Sequence, residues 1–143
     1  MNVITLAVAD LERALAFYRD GLGFSSEGII GADWSDARTG ANGAAALFDL
    51  DGGLILSLYP RRDLGLDAEL DCRPSHGGDF SLGQLVQSRD QVDELLRKAK
   101  DAGAAVTEAH ERPWGIYSGY FRDPDGHLWE VIWNPSRLPQ ALP

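Results

Sequence analysis

The 143-residue chain has one cysteine, Cys72, so it cannot form a disulfide within itself. The absence of disulfides at this size favours a reducing compartment, and we expect a cytoplasmic protein. No apolar run approaches the roughly 18 residues of a membrane span. The opening residues also lack the basic stretch of a signal peptide. These absences predict a protein without a membrane partner.

Basic residues are scarce as well, because 13 Lys and Arg stand against 22 Asp and Glu, for a formal net charge of −9. Such a surface repels nucleic-acid phosphates and anionic lipids, so neither is an expected partner. It weakly favours a cationic ligand, although solubility alone explains the charge. The length fits one compact domain or two fused half-domains.

The sequence contains a repeated turn and strand. Residues 49–59 and 123–133 both begin with Asp-X-Asp-Gly and continue into a mainly apolar run. The offset of 74 residues predicts one module used twice and places Glu130 where the first copy has Leu56. An unpartnered carboxylate is costly to bury. Glu130 is therefore either a structural tie to a neighbouring donor or a ligand group in a wet cavity.

Hydrophobic periodicity and helix caps predict β-α-β-β-β in each half. In the first half Asp10 caps a helix, and in the second Ser88 and Gln91 form a capping box. The segment between the halves is rich in charge, proline and glycine, which is typical of a linker. The predicted divisions are a first module over 1–60, a linker over 61–79, a second module over 80–135 and a tail over 136–143.

Two segments resemble the vicinal oxygen chelate superfamily, which includes glyoxalases, bleomycin-resistance proteins, fosfomycin-resistance enzymes and extradiol dioxygenases. They are residues 8–24, with Asp10-Leu11-Glu12 followed by Phe17-Tyr18, and residues 123–130. The resemblance covers residues 1 to about 135. It implies an α+β fold of two tandem βαβββ modules, forming a curved, barrel-like mixed sheet around a central cavity. It also implies a homodimer, with side-by-side or swapped modules.

In metal-binding members of that superfamily, four inward side chains hold a divalent ion. The matching positions are read here as Val3, Leu56, Gln84 and Glu130. Two apolar residues, an amide and a carboxylate are too few ligands for Zn²⁺, Ni²⁺ or Fe²⁺. We therefore expect no cofactor, while an atypical divalent metal stays open. The three histidines offer no replacement: we expect His127 beside the last turn, His76 in the linker and His110 in a surface cluster with Glu108 and Glu111.

Several polar and aromatic residues are candidates for a ligand cavity. Strand alternation sets Gln84 and Glu130 among apolar neighbours, and aromatic residues crowd the segment before the last hairpin. Ordinary core packing is the alternative for these aromatics. The candidate ligand-binding residues are Gln84, Glu130, Trp34, Trp114, Tyr117 and Tyr120.

The first hypothesis is metal-independent binding of a small molecule in the central cavity. The second is a lyase or isomerase of the glyoxalase type, with Glu130 as general base and Gln84 orienting a substrate oxygen. A dioxygenase is disfavoured because histidine ligands are missing. A third hypothesis is a non-catalytic domain in which Gln84 and Glu130 tie together a filled barrel.

Overall fold

The computed structural model describes residues 1–74 and 77–139, which form a mixed α+β fold with two mixed sheets. This confirms the predicted fold class. The chain divides into two compact units, Met1–Ser75 and His76–Pro143. None of the helices in the described residues is long and apolar enough to cross a membrane.

The first unit contains a four-stranded sheet in the order β1-β4-β3-β2, in which β1 runs parallel to β4. One face packs on α1, where the ring of Tyr18 lies 5.8 Å from that of Phe48. As predicted, Asp10 caps α1 by accepting a hydrogen bond from the Arg13 N–H at 3.0 Å. The elements are β1 (Val3–Val8), α1 (Leu11–Leu15) continued by a π-helical turn (Ala16–Gly21), β2 (Ile29–Ile30), β3 (Ala45–Asp49), a 3₁₀ turn (Asp51–Gly53), β4 (Ile55–Pro60) and α2 (Arg61–Asp67).

The second unit repeats this connectivity, with the strand order β5-β9-β8-β6 and β5 parallel to β9. The predicted capping box is present, since the Ser88 side chain accepts from the Gln91 N–H at 3.2 Å. The elements are β5 (Leu82–Leu85), α3 (Arg89–Asp101), β6 (Ala105–Val106), β7 (His110–Glu111), a 3₁₀ turn (Pro113–Gly115), β8 (Tyr117–Arg122) and β9 (Leu128–Trp133). The short β7 pairs with β8 and was not predicted from the sequence.

The predicted linker over residues 61–79 is partly wrong, because its first seven residues form helix α2. The helix follows Pro60 directly and is held by Asp63, which is buried. The Asp63 carboxylate accepts from the Asn42 N–H at 3.0 Å and from Arg62 at 3.1 Å. Buried polar contacts thus secure a segment whose composition is that of a loop.

The predicted repeat offset of 74 residues is also wrong by one. In β3 and β4 the pair on the face away from the helix is Leu47 with Ser57, since Phe48 and Leu56 lie on the helix side. In β8 and β9 the corresponding pair is Tyr120 with Glu130, which gives an offset of 73 in both strands. Both turns have five residues and close in the same way, with the Leu50 N–H donating to the Leu54 carbonyl and the Asp123 N–H to the His127 carbonyl. Glu130 therefore corresponds to Ser57 and not to Leu56, which is a core residue 1% exposed.

Candidate functional site

The strand register of the second sheet decides which side chains share a face. One face packs on α3, as shown by Gly119, where an added Cβ would lie 2.6 Å from Leu96. Strand partners point to the same side, so the register also defines the opposite face, which we call the distal face. Its residues are Gly83, Leu85, Ala105, His110, Ser118, Tyr120, Arg122, Leu128, Glu130 and Ile132.

Glu130 is half-buried on the distal face and faces two side chains of β8. The fully buried Ser118 hydroxyl donates to its carboxylate at 2.8 Å. The other side chain is that of Tyr120, its cross-strand neighbour. Burial first, and then the negative charge of Glu130, raise the pKa of Tyr120 above its usual value. Tyr120 therefore stays protonated and can act as a donor.

A cation lies beside this pair, and sequence reasoning missed it. The guanidinium of Arg112 lies over the Tyr120 ring, 5.7 Å from the ring centroid. Its Nε atom is buried and has no hydrogen-bond partner within the part of the chain that the structure describes. Side chains alternate along an edge strand, which would place Arg112 on the same face as His110. A strand of only two residues is too short for the sequence to reveal this pattern.

The expected surface cluster around His110 forms only in part: the exposed His110 ring lies 3.4 Å from the Glu108 carbonyl oxygen, but Glu111 points to the opposite face. His110 pairs with Ser118 and lies on the distal face, whereas Glu111 pairs with Tyr117 on the α3 face. There Glu111 forms an ion pair with Arg89 at 2.5 Å. His127 flanks the last turn as predicted, through its N–H to Asp123 at 2.8 Å, and the prediction for His76 lies outside the described residues.

The expectation that Gln84 works beside Glu130 is wrong. Gln84 is paired with Val131, which lies on the α3 face, and the strand partner of Glu130 is Gly83. The Gln84 amide instead donates to the neighbouring Leu85 carbonyl at 3.2 Å. Side chains alternate between the two faces along a strand. An alignment that is wrong by one residue therefore assigns a side chain to the wrong face.

Of the four aromatic candidates, Tyr120 alone shares the distal face with Glu130. Tyr117 lies on the α3 face, where its hydroxyl donates to Asp93 at 2.8 Å. Trp114 occupies the 3₁₀ turn before β8 and is 88% exposed. Trp34 belongs to the first unit, where it lies against Gly43 and is 55% exposed.

A cleft of about 360 Å³ opens beside Tyr120, with walls that are mainly apolar. It can take an apolar group of a small molecule at the edge of the distal face. Its lining residues are Ala105, Val106, Thr107, Tyr120, Phe121, Arg122 and Leu128.

The structure changes two of the four positions that the family resemblance marks for metal ligands, from Leu56 to Ser57 and from Gln84 to Ser81. Val3 lies seven residues before the helix cap Asp10, and Ser81 lies seven before the cap Ser88. Ser57 takes the place of Leu56 as the partner of Glu130 in the repeat. An aliphatic group, two hydroxyls and one carboxylate do not fit Zn²⁺, Ni²⁺ or Fe²⁺. Within the described residues, no three His, Cys, Asp or Glu side chains converge to hold an ion.

Comparison with known proteins agrees with the fold and the resemblance. The chain is similar to a glyoxalase-related enzyme from Fulvimarina pelagi, with 27% identity, a TM-score of 0.76 and coverage of 94% of this chain and 88% of that one. A lactoylglutathione lyase from Agrobacterium tumefaciens shows 25% identity, a TM-score of 0.63 and coverage of 98% and 97%.

A fosfomycin resistance protein from Listeria monocytogenes shares the fold at 21% identity, with a TM-score of 0.67 and coverage of 94% and 92%. A family model described as Glyoxalase/Bleomycin resistance protein/Dioxygenase superfamily matches residues 1–131, which is most of the chain. The chain therefore belongs to the glyoxalase/bleomycin resistance protein/dioxygenase superfamily.

Proposed function

We propose that the chain binds a small organic molecule on the distal face of its second sheet, without a resident metal ion. The observation that supports this most is the Glu130 carboxylate, which Ser118 holds in place beside Tyr120 and an apolar cleft. A carboxylate has about four lone-pair sites, and this donor leaves acceptor capacity for a ligand hydroxyl or N–H.

A purely structural tie explains the site less well. A tie between Glu130 and Ser118 needs neither the neighbouring cleft nor a cation with an unpartnered buried Nε. Polar groups that a fold buries for structure are normally satisfied within it. The unsatisfied donor at Arg112 therefore supports a ligand-binding role for this face.

Fragment binding followed by NMR tests the proposal. We expect weakly binding compounds to shift the backbone amide signals of β6, β8 and β9. Glu130→Gln should weaken the binding of compounds with a hydroxyl or N–H group about tenfold, because a hydrogen bond to a charged group is lost. Glu94→Gln removes one exposed carboxylate from α3 and serves as the matched control.

Two results would contradict this proposal. One is a screen in which no compound moves the distal-face signals. The other concerns the metal: dialysed protein that retains one tightly held Zn²⁺, Ni²⁺ or Fe²⁺ per chain in elemental analysis would overturn metal-independent binding.

A second candidate function is a lyase or isomerase with Glu130 as general base. It is favoured by the similarity to a protein named lactoylglutathione lyase and by the protonated Tyr120 beside the carboxylate. Glu130→Gln should then abolish turnover of carbonyl substrates while the circular dichroism spectrum stays unchanged. Gln84→Ala should leave turnover intact, because Gln84 lies on the α3 face. Turnover that survives Glu130→Gln would exclude this candidate.

Three further expectations belong to this proposal: a central cavity, a homodimer and a cytoplasmic location. Composition and family membership support them. Sedimentation equilibrium tests the dimer directly, since a species of 15.6 kDa would show a monomer.

A further inference from the structure

We infer that the ligand of the distal face carries an oxyanion, a carboxylate or a phosphate, and that Arg112 binds it. This inference rests on the proposed function and adds the chemical class of the ligand. The geometry behind it is a guanidinium held on the Tyr120 ring with a buried donor that no described protein group satisfies.

Arg112 is prepared to bind an oxyanion. Stacking on Tyr120 fixes the plane of the guanidinium, whose fork of N–H donors matches two oxygens of a carboxylate or phosphate. The Nε donor is buried without a described partner, so the negative charge of an oxyanion bound at the guanidinium offsets the cost of that burial.

The charges on the distal face favour an anion, although the whole chain carries a net charge of −9. Among the described strand residues of this face, Glu130 is the single acid, and the basic side chains are His110 and Arg122. Arg112 adds a further positive charge over Tyr120. Glu111, which could have neutralised Arg112, points to the α3 face and pairs with Arg89.

A cleft in the first unit that is also lined by arginines shows the contrast. This cleft, of about 590 Å³, is lined by three arginines among other residues. Each of the three is engaged within the protein: Arg38 with Glu69 at 3.3 Å, Arg62 with Asp63 at 3.1 Å, and Arg61 with the Ala7 carbonyl at 3.0 Å. Arg112 differs because its Nε–H group has no hydrogen-bond partner among the described residues.

The neighbouring apolar cleft indicates the chemistry of the rest of the ligand. It lies beside Tyr120, so a molecule with its oxyanion on Arg112 can place an apolar body against Leu128 and Val106. The ligand class is therefore an organic acid or phosphate ester with a compact apolar body.

Benzoate, phenyl phosphate and neutral benzamide test this inference at fixed ionic strength. The readouts are the NMR signal of the Arg112 Nε–H group and the backbone amides of β8. We expect both anions to shift the Nε–H signal and to bind at least about tenfold more tightly than benzamide. Arg112→Gln should weaken anion binding about tenfold and leave benzamide binding unchanged. Arg97→Gln, which removes the same charge from the exposed side of α3, should change neither.

The outcomes separate this inference from the proposed function. Equal binding of benzoate and benzamide, with no effect of Arg112→Gln, overturns anion recognition and leaves small-molecule binding standing. A loss of anion binding in Arg97→Gln as large as in Arg112→Gln also overturns it, because long-range charge would then be the cause. If none of the three probes moves a distal-face signal, both fail. Should Arg112→Gln not fold, Arg112→Lys and the benzoate–benzamide ratio of the unmodified protein decide.

Discussion

At the scale of single residues, the carboxylate of Glu130 is held by the hydroxyl of Ser118 and lies opposite Tyr120 on the neighbouring strand. All three lie on two neighbouring strands, so backbone pairing fixes their distances before any ligand arrives. A group that is already oriented loses little further freedom on binding. The Ser118 hydroxyl matters most for stability, because it is fully buried and its removal leaves an acceptor unmatched.

Ser118→Ala should lower the free energy of unfolding by about 1–3 kcal/mol, the usual cost of an unsatisfied buried polar group. Urea denaturation followed by tryptophan fluorescence measures it. Ser136→Ala removes an exposed hydroxyl and should have little effect. A double-mutant cycle with Glu130→Gln that shows no coupling energy would contradict the bond to Glu130.

Tyr120 gives a prediction about alkaline pH. Its pKa is raised in the folded state, so folding favours the protonated phenol. This stabilisation is present below the unfolded pKa of about 10 and is lost as the pH rises through the folded pKa. The free energy of unfolding should therefore fall above pH ~10, and it should fall less steeply in Tyr120→Phe.

Urea denaturation at neutral and alkaline pH measures this difference. Tyr59 and Tyr117 also have raised pKa values, so the variant should retain part of the pH dependence. An identical alkaline slope in the variant and the unmodified protein would contradict the assignment to Tyr120.

At the scale of elements, the last turn sets the register on which the site depends. The Asp123 carboxylate is 5% exposed and accepts from the N–H groups of Asp125 at 2.9 Å and His127 at 2.8 Å. These bonds hold a tight turn between β8 and β9 and thereby set Tyr120 opposite Glu130. In the first unit the matching residue is Leu50, which has no such acceptor.

Asp123→Ala should cost about 1–3 kcal/mol or more, because two backbone donors in a tight turn lose their charged acceptor. Asp123→Asn keeps an acceptor oxygen and should cost less. Chemical denaturation gives both values, and the amide signals of β8 and β9 report whether the strand register holds. Equal stability of the two variants would show that the acceptor oxygen is unimportant.

Elements with strong local signals could be predicted from the sequence. The helices capped at Asp10 and Ser88 are present, and so are the two strands of the repeat, β4 and β9. Helix α2 has seven residues, including a glycine, and depends on the buried Asp63, so no local pattern reveals it. The pairing of Gln84 and the position of Arg112 depend on contacts between distant residues, which periodicity within one strand does not encode.

At the scale of the whole molecule, charge is the dominant feature. A net charge of −9 on 143 residues destabilises the folded chain by self-repulsion. Salt screens such repulsion over a Debye length of about 8–10 Å at physiological ionic strength. The same screening should weaken the binding of an oxyanion to Arg112.

Raising the salt concentration from about 0.01 M to about 0.15 M should therefore raise the melting temperature and weaken benzoate binding. Differential scanning calorimetry and NMR titration measure the two effects in one buffer series. Benzamide is the uncharged control, and its affinity should not follow the salt. A melting temperature that falls with salt would indicate that attractive ion pairs outweigh the net repulsion.

The structural offset between the two halves is one residue smaller than the offset of their matching sequence letters. This difference matters when the role of a residue is inferred from an alignment of related chains. Any alignment that matches the two Asp-X-Asp-Gly turns letter by letter assigns Glu130 to Leu56, a residue of the hydrophobic core. An engineer who copied the acid into the first half on that basis would bury a charge against α1. The substitution that reproduces the geometry of the second half is Ser57→Glu, with Leu47→Tyr as the donor on the neighbouring strand.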